Sequence, residues 1–73
     1  MNQNQSEGAG DPLFDATKAF VIEEQRVSIS MIQRKHKIGY MRANNLVNAL
    51  EEQKVVSSPT HNGRRAVLVS KSQ

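Results

Sequence analysis

A chain of 73 residues with net charge +3, no cysteine and 37% hydrophobic residues provides for one small domain, unconstrained by disulfides. No apolar run approaches the ~20 residues that span a bilayer, and the N-terminus has neither a basic segment nor an apolar signal core. Both exclude a membrane-embedded reading; a cytoplasmic location without membrane contact is expected.

The charge is unevenly spread. The seven acidic residues, Glu7, Asp11, Asp15, Glu23, Glu24, Glu51 and Glu52, leave 25–50 and 53–73 free of acid. Those stretches carry nine of the ten basic residues: Arg26, Arg34, Lys35, Lys37, Arg42, Lys54, Arg64, Arg65 and Lys71. Such segregation fits a basic face for a polyanion, with chance clustering on a solvated surface as the plain alternative.

Residues 1–10, MNQNQSEGAG, are small, polar and aperiodic and read as a disordered leader, with a domain over 11–70 and a tail over 71–73. Asp11-Pro12 predicts a helix start, the aspartate as cap and the proline at the first helical position. The helix is expected over 12–24, with Leu13, Ala16 and Phe20 at helical spacing, flanked by Phe14, Val21 and Ile22. The alternation of Arg26-Val27-Ser28-Ile29-Ser30 predicts a short strand. Ser30-Met31-Ile32-Gln33 has capping-box spacing and predicts a helix over about 31–37, with Ile32 inward and His36 on the same face. Ile38-Gly39 breaks the pattern and allows a tight turn.

A third helix is expected over 40–53, burying Tyr40, Ala43, Leu46, Val47 and Leu50. Met41, Arg42, Asn44, Asn45 and Asn48 fall on its other faces, and three asparagines inside a helix are poor helix formers. Val55-Val56-Ser57 and Ala66-Val67-Leu68-Val69 predict a hairpin around a turn-rich segment, 58–65. The expected fold class is therefore α+β: a winged helix of three helices plus a small antiparallel sheet, with 40–53 as recognition helix and 58–65 as wing.

Two histidines 25 residues apart, without cysteine or a glycine-rich phosphate loop, leave little for nucleophilic catalysis and too few ligands for a metal. The chain is expected to be no enzyme and to need no cofactor. Duplex DNA is the better-supported partner, because Arg and Asn on a recognition helix suit guanine and adenine edges. Arg42, Asn44, Asn45 and Asn48 have these residue types, and Met41 suits adaptable apolar contact. Arg34, Lys35 and Lys37 are placed for phosphates, and Arg64 and Arg65 on the wing for the backbone, a minor groove or a carboxylate-bearing partner. Nothing resembles a dimerisation helix, so the isolated chain is expected to be a monomer.

The strings DPLF (11–14), SIS (28–30), QR (33–34), IGY (38–40), RA (42–43) and HNG (61–63), then Arg65 and Val67-Leu68, resemble the gamma domain that ends the FtsK/SpoIIIE DNA translocases, over about residues 11–69. The resemblance implies a winged helix that reads short polar DNA sequences orienting the motor. In FtsK it also implies contact with the XerD tyrosine recombinase, which switches on recombination at the chromosome dimer resolution site. Within that family Met41, Asn45 and Asn48 replace the usual Asn, Arg and Glu of the base-reading positions, while Arg42 is kept. Asn44 stands for an alanine, Ala66 for a glutamate, and Lys54 for a glycine, which implies a strained left-handed cap.

With His61, Asn62, Gly63 and Arg65 kept beside Arg64, the leading expectation is a non-catalytic module. It contacts a XerD-type recombinase through its wing and activates site-specific recombination, in chromosome dimer resolution or mobile-element integration, with basic-face contacts to duplex DNA. The alternative is a reader of orienting sequences that directs translocation, and a third is a small transcriptional regulator. The resemblance implies a nucleoid location, at the division septum if the chain is part of a full translocase. Whether the chain is a fragment or free-standing stays open.

Overall fold

The computed structural model describes residues 7–70; the expectations for leader residues 1–6 and for the tail, 71–73, lie outside the described residues. After a 3-10 turn at Glu7–Gly10 come α1 (Phe14–Glu24), α2 (Ile29–His36) and α3 (Tyr40–Glu52). The core gathers Val21 from α1, Ile32 from α2, Ala43, Leu46, Val47 and Leu50 from α3, and Val55 and Val56 beyond it.

The α+β winged-helix expectation is not met. Among the described residues there is no strand, sheet or wing, only one isolated antiparallel bridge between Val56 and Val67, so the domain is a small helical one. Two backbone bonds make that bridge, Ser57 N–H to the Ala66 carbonyl (2.9 Å) and Leu68 N–H to the Val55 carbonyl (2.7 Å). The next rung towards the loop is taken by side chains. Ala66 N–H donates to Ser57 Oγ (2.9 Å), and the Ser57 carbonyl accepts from Arg65 Nη1 (3.3 Å). Side-chain bonds of this kind replace the ladder and stop the hairpin from growing.

The strand expected at 26–30 is likewise absent. Ser28, not Ser30, caps α2: its hydroxyl accepts from Met31 N–H (3.1 Å), which turns Ile29 and Ser30 into the first helical turn. The Val69 carbonyl, on the neighbouring segment, accepts from the Gln25 side-chain amide instead (2.9 Å).

In α1 the proline lies in the preceding turn and Leu13 is the cap, while Asp11 Oδ1 accepts from Leu13 N–H (2.9 Å). The buried row is Phe14, Thr17 and Val21; Ala16 is exposed. Thr17 is fully buried because both its hydrogen bonds are made inside, to the Leu13 carbonyl (2.7 Å) and to His36 Nε2 (2.9 Å). The hydroxyl proton goes to Leu13, so His36 Nε2 is the donor of the second bond and pins α2 to α1. His36 is half-buried, on the Ile32 side of α2 as expected.

Each of the three helices is closed, within two residues of its end, by a residue of positive φ that is not glycine: Gln25 (55°), Lys37 (56°) and Lys54 (64°). At Lys54 the chain makes a full left-handed cap: Lys54 N–H reaches the Glu51 carbonyl (3.0 Å) and Val55 N–H the Leu50 carbonyl (2.9 Å). The strained lysine cap implied by the family resemblance is thus present, and it delivers Val55 into the core.

Candidate nucleic-acid interface

The third helix carries most of the expected contact residues, and its two long edges are occupied differently. On one edge lie the leader and Asp11. Gly8 is buried so closely on α3 that an added Cβ would stand 2.0 Å from the Asn45 carbonyl oxygen and 2.8 Å from Leu46 Cα. Asp11 receives Arg42 in a bidentate pair, Nε to Oδ2 at 2.8 Å and Nη2 to Oδ1 at 2.9 Å. That fork, together with the Leu13 N–H, draws the Asp11 carboxyl from its ordinary 3.8 down to about 2. Arg42 is therefore a tether between α3 and the approach to α1, and its fork is already filled by a carboxylate.

On the other edge lies the loop between the two bridge residues. Glu51, near the end of α3, accepts from Ser58 Oγ on one oxygen and from Arg65 Nη1 on the other, both at 2.6 Å. These two bonds, Ser58's foremost, hold the Glu51 carboxyl below its usual value. Arg65 is accordingly half-buried and turned inward. The tip is closed by a second set of bonds: Thr60 N–H to the Arg64 carbonyl (2.8 Å) and Gly63 N–H to the Thr60 carbonyl (2.8 Å). Gly63 sits at φ 79°, which its missing Cβ permits. His61, Asn62, Gly63 and Arg64 are all exposed there.

Between these edges α3 presents one row of residues to solvent. Met41 (67% exposed) stands with Asn44 and Asn48 at i, i+3 and i+7, the spacing of one helix face. Asn44 and Asn48 are half-buried, and neither side chain hydrogen-bonds another described residue. Asn45 is half-buried beside the Gly8 contact. Tyr40, placed in the buried stripe by its spacing, is 57% exposed, because α3 begins there and the first turn overhangs the core.

Tyr40 and Asn44 share a groove of about 810 Å³ with Arg26, Pro59, Gly63, Arg64 and Arg65. Asn44 of the row and the loop tip thus open on common ground. Arg34 and Lys35 are exposed on the last turn of α2, where positive charge suits the helix C-terminus, and Lys37 caps that helix, three residues before Tyr40. Lys35 Nζ lies 5.0 Å over the Phe20 ring, so its stem is held along α1.

Of the expected contact residues, the structure gathers Asn44, Gly63, Arg64 and Arg65 on the groove and exposes Arg34, Lys35, Lys37, Met41, His61 and Asn62. It pairs Arg42, which stays exposed, with Asp11, and the half-buried Arg65 with Glu51. Gly8, Thr17 and Glu51 escaped the reading of the sequence. For Glu51 there was a usable signal: it is acidic, one residue before the helix end, facing a basic turn. For Gly8 there was none within a polar, aperiodic stretch. Among the described residues no helix is long and apolar enough to cross a membrane.

Comparison with known proteins agrees with the residue strings above. The family model of the Ftsk gamma domain matches residues 8–70, beginning at the glycine that packs on α3. DNA translocase FtsK of Shewanella oneidensis is 55% identical over 58 residues, 80% of this chain and 6% of that protein. The Vibrio parahaemolyticus FtsK is 48% identical over 66 residues, 90% of this chain and 6% of the relative. DNA translocase FtsK 2 of Neisseria meningitidis is 41% identical over 63 residues, 86% of this chain and 6% of that protein. The chain spans about 6% of the length of these three relatives. With a match over nearly all of its described residues, the chain belongs to the FtsK gamma domain family.

Proposed function

We propose that this chain is a non-catalytic docking module acting on the nucleoid. It binds duplex DNA with the solvent-facing row of α3 and contacts a XerD-type tyrosine recombinase with the 59–64 loop tip, activating site-specific recombination. The observation that carries the reading is the shared groove, in which the base of the row (Tyr40, Asn44) and the loop (Pro59, Gly63, Arg64) face one another. A single large partner, or a recombinase already seated on its DNA, meets both at once.

The DNA half of the reading draws on helix geometry: a helix of this width fits the major groove, and Lys37, Arg34 and Lys35 stand at its approach for phosphates. The recombinase half draws on family membership and on the exposure of His61, Asn62 and Arg64. Arg65 takes a different part from Arg64. It fastens the loop to Glu51, so it shapes the contact surface without being its tip.

The test is a pull-down of the 73-residue chain with a XerD-type recombinase and with duplexes, side by side, followed by a recombination assay. Arg64→Glu is expected to lose activation at unchanged helicity. Normal activation by that variant would refute the recombinase contact. DNA binding is expected to weaken steeply with salt as phosphate contacts release counterions, and a flat salt response would count against α2 facing the duplex.

A further inference from the structure

We infer that the α3 row reads adenine–thymine pairs, with Met41 against a thymine methyl group and Asn44 or Asn48 on an adjacent adenine; the inference rests on the DNA-binding reading above. The row lacks an arginine free to read guanine. Bidentate recognition of guanine takes two donors directed at O6 and N7, usually from an arginine. The single arginine of α3, Arg42, has Nε and Nη2 held by Asp11 at 2.8 and 2.9 Å, on the edge occupied by the leader. Reading guanine with it would mean breaking a bidentate ion pair and leaving the Asp11 carboxylate near the phosphates.

What the row does offer is an amide pair and a thioether. Asn44 and Asn48 lie one turn apart, and neither amide is engaged by another described residue, so each has donor and acceptor available together. An asparagine amide matches the N6 donor and N7 acceptor of adenine, a pattern that no other base shows in the major groove. Met41 stands on the same face towards the N-terminus, with 67% of its surface in water. An unbranched, polarizable apolar side chain exposed to that degree has no hydrogen bond to give a base, and the one apolar feature of the major groove is the thymine methyl group. Glu52, exposed one turn beyond Asn48, ends the row, because a carboxylate so placed disfavours phosphate approach.

The 73-residue chain is offered a randomised duplex pool, and the selected word is then remade with uracil in place of thymine, which removes only the methyl groups. Selected words rich in adjacent A·T pairs are expected, with affinity falling about fourfold on uracil substitution, the value of roughly one buried methyl group. Met41→Ala is expected to abolish the thymine–uracil difference while circular dichroism stays unchanged, and at least one of Asn44→Ala and Asn48→Ala to weaken the selected word by about tenfold or more, normal binding by both overturning the adenine contact. Selection of guanine-centred words, or indifference of the unsubstituted chain to uracil, would overturn this inference and leave the docking role standing. Failure to bind any duplex would overturn both.

Discussion

Gly8 reaches α3 backbone to backbone, whereas Arg65 reaches it across a carboxylate. The leader edge is a close fit with no space between glycine and helix, supplemented by a bidentate pair. The loop edge is held by one isolated bridge, an ion pair and a serine hydroxyl, and the backbone bonds of its tip, Thr60 to Arg64 and Gly63 to Thr60, close within the loop. Close packing transmits every displacement of its neighbour, while polar side-chain tethers let the tip adjust to a partner. The comparison assigns stability to one edge of the helix and adaptability to the other.

The largest effect is expected where packing is tightest. Gly8→Ala places a methyl inside the Asn45 carbonyl contact and is expected to cost about 1–3 kcal/mol in urea unfolding, with the 3-10 turn displaced from α3. A variant as stable as the parent would show that the leader edge is as yielding as the loop. Lys54→Gly should act oppositely. Relief of a left-handed lysine outweighs glycine's extra chain entropy by about 0.5–1 kcal/mol, which corresponds to a melting-temperature rise of roughly 2–8 °C. A lower melting temperature would mean that the lysine stem contributes packing that offsets its backbone strain.

The Asp11–Arg42 pair gives a smaller effect with a pH signature. A carboxyl lowered from 3.8 to about 2 in the folded chain contributes stability that is complete above the unfolded value. That stability fades as pH falls from about 4 towards 2. The stability gap between the parent and Asp11→Asn is therefore expected to hold from neutrality to about pH 4 and to close below it. A gap that persists at pH 2 would assign the effect to packing. The smallest thermodynamic change is expected from Arg65→Ala, which removes one half-buried ion pair at the loop edge, yet amide exchange at residues 58–64 should quicken clearly. Arg64→Ala should leave that exchange unaltered, and equal rates in both variants would remove the distinction between tether and tip.

The helices were legible in the sequence because Ile32, Ala43, Leu46, Val47 and Leu50 recur at helical spacing, and the tight turn because Gly39 follows a lysine-rich helix end. The strands were misread for a physical reason. Val27 and Ile29 alternate like a strand, yet one serine hydroxyl on Met31 N–H decides the segment for helix. Val55–Ser57 and Ala66–Val69 have the right residue types, but Ser57 and Arg65 take the rungs a hairpin needs. Thr17 escaped notice because a polar residue in a buried row is visible only once its partner His36, on another helix, is known. For the candidate interface, residue types identified Met41, Asn44 and Asn48. The pairing of Arg42 with Asp11 depends on a contact 31 residues away in sequence, which no local pattern announces.

The seat of Gly8 on the Asn45 carbonyl also defines a load path. Tension applied at residue 8 reaches α3 through Gly8 and the Asp11–Arg42 fork, beside the row that carries Met41 and Asn48. The loop tip lies off that line. Pulling on the leader would therefore strain α3 before it disturbed the loop tip.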